Sequence, residues 1–322
     1  MMLTVLTLVM GIGIQQPRTA GESGKTPQTK NAALAIQVAL DRAGFSPGAL
    51  DGQIGPSTKK ALTAYREAHG GEPPATEPVT TYRITEADVA GPFEPEIPSD
   101  LVEQAKLKTL AYRTPLEALA ERFHATPALL QRLNPGATFA AGEQVAVPNV
   151  EPMEVPVDTP KEEEKPTPAE KKTDAKAAQA AAAAKPDVTV TVSKSTSALT
   201  VTDASGKVVM YAPVTTGSEH DPLPLGNWKV NGVSLNPTFR YNPDLFWDSD
   251  PAHTKALIPS GPNNPFGLVW VDISKEHYGI HGTPEPANIG RTESHGCVRL
   301  TNWDALRLAA LLKPGTPVVF RE

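Results

Sequence analysis

Residues 151–186 constrain this chain most, because their composition argues against a packed core. They read EPMEVPVDTPKEEEKPTPAEKKTDAKAAQAAAAAKP, with six prolines, mixed Glu and Lys, and no aromatic residue. Such a stretch buries too little apolar surface to offset the conformational entropy that folding removes. We therefore predict a Pro/Ala/charged linker over 151–186, with folded parts on either side of it.

Composition limits what those parts can be. A chain of 322 residues is long enough for two or three domains. Its 39% hydrophobic content excludes a wholly disordered protein. The net charge of −6 argues against a nucleic-acid partner, because phosphate binding requires a basic face. Gly-rich phosphate loops and nucleotide fingerprints are absent from the sequence, so no cofactor is expected.

The N-terminus is typical of an exported protein. Met1 to Ile14 are apolar apart from threonines and glycines, and small residues follow at 19–21. This pattern resembles a secretory signal peptide, although no Lys or Arg precedes the apolar run. We predict a signal peptide over 1–20, no membrane span after its removal, and a location in the periplasm or cell wall. The alternative is a buried strand or helix of the first domain.

Residues 31–70 predict two helices joined by a turn. The first has an apolar stripe and ends at Gly44, and Pro56 suits the first turn of the second. The turn carries the spaced motif Asp51-Gly52-x-x-Gly55-x-x-Thr58-x-x-Ala61. This motif resembles the small all-α peptidoglycan-binding module of cell-wall enzymes, which implies glycan strands as a partner. The alternative is an unrelated helical hairpin.

Residues 80–150 predict a second small module of α+β type. A helix is expected over 115–123, a second from Thr126-Pro127 to Leu133, and a strand over 142–148. This order resembles the latter part of a LysM carbohydrate-binding module. The usual opening strand is missing, because Arg113-Thr114-Pro115 stand in its place. Glycan binding and a purely structural spacer both stay open for this module.

Residues 187–322 hold all four tryptophans and five of the seven histidines, which marks the domain with the large core. Period-two alternation predicts a mostly-β fold with one or two short helices. The expected strands cover 188–192, 198–201, 207–212, 227–230, 267–273 and 278–281. A final helix follows over 303–312, preceded by a capping box of Thr301 and Asp304. Residues 316–320 are expected to close the domain as an edge strand.

The single cysteine is the candidate nucleophile. Cys297 lies in Ser294-His295-Gly296-Cys297-Val298-Arg299-Leu300, sixteen positions after His281. A cysteine nucleophile needs a base or cation that favours the thiolate, an orienting group, and backbone N–H donors for an oxyanion. We expect an imidazolium at His281 to populate the thiolate. Gly296 lets the backbone approach a substrate carbonyl closely, so the Cys297 N–H can serve as a donor.

Two other roles for this thiol were considered. A lone cysteine beside glycine is ordinarily a small buried hydrophobe. His281, His295 and Cys297 are also the residue types that bind zinc, but the sequence offers no persuasive fourth ligand. One cysteine also excludes an internal disulfide and a thiolate-rich metal cage. We therefore predict no metal at this site.

The pair of motifs, His281-Gly282 followed by SHGCVRL, closely resembles the L,D-transpeptidase (YkuD-type) catalytic domain. PLPLGNW at 222–228 and NPFG at 264–267 resemble two further segments of that family. The resemblance covers nearly all of residues 187–322. It implies an enzyme that acts on peptidoglycan stem peptides.

The resemblance also implies a mechanism. Cys297 would attack the third residue of a tetrapeptide stem, release D-Ala and form a thioester, which a second stem's amine would convert into a 3-3 cross-link. His281 would act as base, then acid, then base again. Ser294 and His295 would shape the turn, and the Gly296 and Cys297 amides would hold the oxyanion. Substrate-binding candidates are Arg299, Gly282, Tyr278, Trp270 and Trp247.

Two alternative functions remain open at this point. In an L,D-carboxypeptidase, water would replace the acceptor amine. In a non-catalytic wall-binding protein, residues 31–69 and 112–150 would be the working parts. The intact Cys–His pair, with Gly296 and Arg299, disfavours the second alternative. In either enzyme, the N-terminal modules would bind glycan or simply hold the enzyme away from the wall.

Overall fold

A computed structural model describes residues 27–155 and 185–322. The predicted signal peptide over 1–20 and linker residues 156–184 lie outside the described residues. Within the described ranges, no helix has the length and apolar character needed to cross a membrane.

The first module contains the two predicted helices, α1 (Pro27–Arg42) and α2 (Pro56–His69). Gly44 follows α1 with a φ of +80°, a left-handed conformation that ends a helix. The turn between the helices is held by Gln37, whose Nε2 donates to Asp51 Oδ1 at 2.9 Å. Gln37 Oε1 accepts from the Gly52 N–H at 2.8 Å. Both predicted helices are present, while the peptidoglycan-binding module and its glycan binding stay predictions.

The second module is a two-stranded sheet with helices between its strands. Its elements are β1 (Val79–Arg83), α3 (Glu86–Val89), α4 (Leu101–Gln104), α5 (Pro115–Arg122), α6 (Pro127–Leu133) and β2 (Gln144–Pro148). Threonine side chains cap α5 and α6, as expected for helices that begin with Thr-Pro. The two predicted helices and the predicted last strand are confirmed.

The opening strand of this module lies far upstream of residues 113–115. β1 pairs antiparallel with β2, with Val79 opposite Pro148. Its side chains are mostly exposed, so it lacks the apolar alternation that reveals a strand in a sequence. Residues 84–114, which we call the inserted segment, therefore separate β1 from α5.

The C-terminal domain is built on an eight-stranded sheet with the order β11-β10-β9-β6-β12-β3-β4-β5. The strands are β3 (Val188–Ser193), β4 (Ala198–Asp203), β5 (Val208–Pro213), β6 (Gly226–Leu235), β9 (Val269–Ile273), β10 (Gly279–His281), β11 (Val298–Arg299) and β12 (Pro317–Arg321). A separate hairpin consists of β7 (Phe239–Tyr241) and β8 (Ala256–Ile258). The mostly-β prediction for this domain is confirmed.

The last strand is not an edge strand, which corrects the sequence-based expectation. β12 lies between β6 and β3, antiparallel to the first and parallel to the second. Val318 and Phe320 are buried. Alternation shows that one face of a strand is buried, but it cannot show how many neighbours the strand has.

One helix, α7 (Asn302–Leu311), packs on the sheet of residues 185–322. It begins as predicted, because the Thr301 side chain accepts from the Asp304 N–H. Trp303 at its start is fully buried. The helix also contacts both N-terminal modules, through Arg307 to Asp41 and through Asn302 to Glu121.

Three modules meet at a buried ionic network centred on Asp41 of α1. Its carboxylate accepts from His124 Nδ1 at 3.0 Å and from Arg307 Nη2 of α7 at 2.7 Å. Burial opposes ionisation, but His124 and Arg307 hold the pKa of Asp41 well below its ordinary value. Beside it, Ser46 Oγ donates to Asp304 Oδ2 at 2.7 Å.

The N-terminal modules therefore do not hold the C-terminal domain at a distance; they pack directly against it. The described ends of the predicted linker are also packed. Met153 is buried in the core of the C-terminal domain, and its N–H donates to Arg122 O at 2.7 Å. Lys185 Nζ donates to Ala309 O at 2.9 Å.

Candidate active site

A cavity of about 700 Å³ opens beside the paired strands β10 and β11. Cys297 and His281 line it together with Tyr278 and Arg299. The loop between β7 and β8 supplies another wall, and Leu101 of the inserted segment also lines it. The sequence-predicted nucleophile and base thus lie in one cavity.

Strand pairing brings Cys297 close to Gly279, the first residue of β10. Cys297 comes directly before β11, where Val298 is paired with Ile280. Burial raises the pKa of the Cys297 thiol, and the Gly279 N–H and the Arg299 cation act in the opposite direction. The thiol is therefore mainly protonated in the free protein at neutral pH.

His281 is neutral in this environment, which corrects the expectation of an imidazolium. Its ring is buried, and burial together with the Arg299 cation lowers its pKa to about 3. Its Nδ1 lies 2.7 Å from the carbonyl oxygen of Gly282. Because a carbonyl can only accept, Nδ1 carries the proton and Nε2 keeps a lone pair. The ring is therefore a base with a free nitrogen, not a cation.

The turn before Cys297 is shaped by Ser294. Its Oγ donates to the carbonyl oxygen of Cys297 at 2.5 Å, and its N–H donates to Thr216 O at 3.0 Å. Gly296 has a φ of +98°. The Tyr278 ring occupies the space that a Cβ at Gly296 would need. Glycine is thus required here for two reasons, backbone conformation and close packing.

His295 points away from this turn. Its Nε2 lies 2.9 Å from Asp248 Oδ1, and its ring lies 5.2 Å from the Phe246 ring. Both partners belong to the loop between β7 and β8. His295 thus connects the turn to a cavity wall that the sequence analysis missed, because no motif marks Asp248 or its neighbours.

The aromatic candidates divide into two groups. Trp270 stacks on the His281 ring with centroids 5.8 Å apart, and the Phe266 ring contacts both, at 4.3 Å from Trp270 and 5.0 Å from His281. Trp270, Phe266 and Tyr278 line the cavity. Trp247 does not line it: the side chain is 61% exposed and stacks on His220.

Arg299 and Gly282 both lie beside His281. Arg299 is the Cα partner of His281 across β10 and β11 and lines the cavity. Gly282 has no room for a side chain, because Asn302 Oδ1 occupies the position of its Cβ. The same Asn302 oxygen accepts from the Leu268 N–H at 2.9 Å. A glycine is therefore required at position 282, because the Asn302 side chain packs against its backbone.

A buried carboxyl group of the second module supports Asn302. Asn302 Nδ2 donates to Glu121 Oε1 and Oε2 at 3.0 and 3.2 Å, and the Tyr112 hydroxyl donates to Glu121 Oε2 at 2.6 Å. Burial raises the pKa of Glu121 to about 8. Nothing in the sequence near Glu121 signals this contact, since its partner lies far along the chain.

The positions of His281, His295 and Cys297 bear on the alternative that these three residues bind zinc. His281 Nδ1 is engaged by a carbonyl and His295 Nε2 by Asp248. Across residues 27–155 and 185–322, no three His, Cys, Asp or Glu side chains are grouped so that they could hold a metal ion.

Comparison with known proteins finds similarity in the C-terminal domain. Residues 187–320 match YkuD, the L,D-transpeptidase catalytic domain. This match covers the C-terminal domain and less than half of the chain. The N-terminal modules lie outside this match.

Two curated relatives named as L,D-transpeptidases match parts of this chain. The chain is 48% identical over 61 residues to YkuD of Bacillus subtilis and 35% identical over 118 residues to YbiS of Escherichia coli. Both names assign L,D-transpeptidase activity provisionally. The matches cover 19% and 35% of this chain and 37% of each relative, so the chain spans about a third of the length of these relatives.

Solved structures of L,D-transpeptidases are also similar to part of this chain. An L,D-transpeptidase from Mycobacterium smegmatis is 18% identical, with a TM-score of 0.35 over 42% of this chain and 59% of its own. L,D-transpeptidase 3 from Mycobacterium tuberculosis with a faropenem-derived adduct is 20% identical, also with a TM-score of 0.35, over 42% of this chain and 61% of its own.

Proposed function

We propose that this protein is a cysteine-dependent L,D-transpeptidase that forms 3-3 cross-links between peptidoglycan stem peptides. The observation that carries the proposal is the placement of Cys297 and His281 in one cavity at the paired strands β10 and β11. A thiol and a neutral imidazole that share one cavity are the two groups that general-base activation of a nucleophile requires.

In the first half-reaction, the Cys297 thiol attacks the carbonyl carbon of the third residue of a tetrapeptide stem. His281 Nε2 takes the thiol proton as the S–C bond forms, because its lone pair is free. His281 then gives that proton to the nitrogen of the terminal D-Ala as the C–N bond breaks. D-Ala leaves as an amine and a thioester remains on Cys297.

Negative charge develops on the oxygen of the attacked carbonyl in this step, and it needs hydrogen-bond donors. The backbone N–H groups of Gly296 and Cys297 are the proposed donors to the oxyanion. Arg299 contributes a positive charge beside His281 and Cys297. That charge favours the thiolate over the thiol and keeps the imidazole neutral between proton transfers.

In the second half-reaction, the side-chain amine of another stem attacks the thioester. His281 accepts a proton from that amine and returns it to the Cys297 sulfur as the S–C bond breaks. Water in place of the amine gives a trimmed tripeptide, which is the carboxypeptidase outcome. The reaction would take place in the periplasm or cell wall, with both N-terminal modules contacting glycan strands.

Acylation by a β-lactam tests the proposal. The full chain is incubated with a carbapenem and analysed by intact-protein mass spectrometry, beside Cys297→Ala and His281→Ala. We expect one adduct on the wild type, none on Cys297→Ala, and acylation slowed about 100-fold or more in His281→Ala. An adduct that persists in Cys297→Ala would refute the assignment.

The products of a purified disaccharide tetrapeptide separate the two reactions. Cross-linked dimer with free D-Ala supports the transpeptidase. Tripeptide and D-Ala without dimer would replace it by the carboxypeptidase, and no product together with no β-lactam adduct would leave a wall-binding protein.

A further inference from the structure

The inserted segment of the second module crosses onto the catalytic domain beside the β7–β8 hairpin. The Leu110 N–H donates to Ser260 O at 2.9 Å, and Leu110 O accepts from the Asn263 N–H at 2.9 Å. Gly261 has a φ of +140°, and a Cβ there would overlap the Leu110 carbonyl. The segment is therefore fixed to the catalytic domain by backbone contacts that leave no space for a side chain.

Apolar packing continues this contact along the hairpin. Leu110, Phe239, Tyr241 and Ile258 form one buried cluster. Leu101 of α4 packs against it, as do other residues of the inserted segment: Ile97, Val102, Ala105 and Leu107. The hairpin thus lies against a surface that belongs to a different module.

The inserted segment also reaches the cavity itself. Leu101 lines the same cavity as Cys297 and His281. Next to it, Asp100 Oδ2 lies 3.2 Å from His253 Nε2, and His253 Nδ1 lies 2.9 Å from the Tyr241 hydroxyl. Asp100 Oδ1 also accepts from the Val102 and Glu103 N–H groups, which caps α4. One carboxylate thus orients α4 and ties it to two cavity-lining side chains.

We propose that Leu101, positioned by Asp100, forms a wall of the substrate cleft that contacts the bound stem peptide. This inference rests on the proposed function and adds a specificity determinant from outside residues 187–320. A stem peptide extends well beyond its scissile bond, so it can contact cavity walls that do not carry the reacting groups. A small β-lactam that acylates Cys297 does not need that wall.

The comparison of a peptide substrate with a β-lactam tests this proposal. The full-length Leu101→Ala and Asp100→Asn variants are compared with the wild type for D-Ala release from a disaccharide tetrapeptide and for carbapenem acylation. We expect Leu101→Ala to raise the peptide KM roughly 10-fold at nearly unchanged kcat, because a contact made equally in ground and transition states is lost. Carbapenem acylation should stay within about twofold of the wild type.

The Asp100→Asn variant separates the positioning of Leu101 from the capping of α4. Asparagine caps a helix as well as aspartate does, so α4 is retained while the charge facing His253 is removed. We expect a smaller rise in the peptide KM, about threefold. Glu103→Gln is the matched control, since Glu103 lies exposed on the same helix and should leave both reactions unchanged.

Three results would overturn the proposal. An unchanged peptide KM in Leu101→Ala would exclude the contact. Equal losses with peptide and β-lactam would indicate general damage to the site. A wild type that reacts with neither substrate would refute the proposed function and this inference together, whereas the first two results leave the function intact.

Discussion

At the scale of single residues, the positive charge beside Cys297 comes from Arg299 and not from His281. Burial and Arg299 hold the imidazole neutral, with a pKa of about 3. Burial raises the thiol pKa, while Arg299 opposes that rise. In the proposed mechanism, the thiolate has Arg299 as its charge partner and His281 removes its proton.

Removing this charge should shift the titration of the thiol. In Arg299→Gln, we expect the pH profile of Cys297 alkylation by iodoacetamide to move upward by about one pH unit, because the thiolate loses its cation. Arg299→Lys is the control and should keep the profile near that of the wild type. A downward shift in Arg299→Gln would contradict this role of the guanidinium.

The Gly296 position offers a second test at this scale. In Gly296→Ala, the new methyl group meets the Tyr278 ring and the residue keeps a positive φ. We expect carbapenem acylation to fall at least about 10-fold, because the turn that carries Cys297 must shift. Gly206→Ala has a similar φ of +83° but open space at its Cβ, so it controls for backbone strain alone. Equal, small effects of both substitutions on acylation would refute the packing argument.

At the scale of elements, α5 of the second module supports the start of α7 through Glu121 and Asn302. The Asn302 side chain lies directly behind Gly282, whose carbonyl oxygen accepts from His281 Nδ1. A helix outside the catalytic domain thus helps to fix the backbone that orients the proposed base. Sequence reasoning predicted both helices and the Thr301 cap of α7, but not this contact between them.

The titration of Glu121 makes the stability of this interface pH-dependent. Burial raises its pKa from 4.5 to about 8 in the folded protein, so the folded state binds more protons than the unfolded state between these values. The free energy of unfolding should therefore fall as pH rises from about 4.5 to about 8. Denaturant melts of Glu121→Gln should show a flatter dependence over that range, whereas the exposed Glu86→Gln should follow the wild type. A slope unchanged in Glu121→Gln would contradict the assignment.

At the scale of the whole molecule, the described modules share buried surfaces with one another. Leu34, Val38 and Leu50 of the first module lie in one core with Phe123 and Val147 of the second. The network of Asp41, His124 and Arg307 then joins both modules to α7. Such contacts predict that the described parts unfold together.

Removal of the Asp41 charge should weaken the contacts that join the N-terminal modules to α7. In Asp41→Asn, His124 and Arg307 lose their shared carboxylate, and we expect a loss of about 3–5 kcal/mol in the free energy of unfolding. Glu67→Gln, on the exposed face of α2, is the control and should change stability little. Separate melting transitions for the N-terminal modules and the catalytic domain in the wild type would contradict the shared core.

Much of this protein follows from local sequence. Thr-Pro steps begin α5 and α6, alternation places β3, β4 and β5, and the Thr301 cap begins α7, because caps and periodicity act within a few residues. The motifs at His281 and Cys297 likewise singled out two residues that line one cavity. These features need no knowledge of distant partners.

The tertiary structure decided the features that depend on residues far apart in the chain. It placed β12 in the middle of the sheet, turned His295 toward Asp248, and left Trp247 outside the cavity. It also gave His281 a neutral ring, since pKa values depend on burial and on charges brought near by folding. The sequence by itself determined which side chains are available to react. Only the fold determined the charges of those side chains, the residues that hold them in place, and the position of Leu101 of the second module in the wall of the cavity.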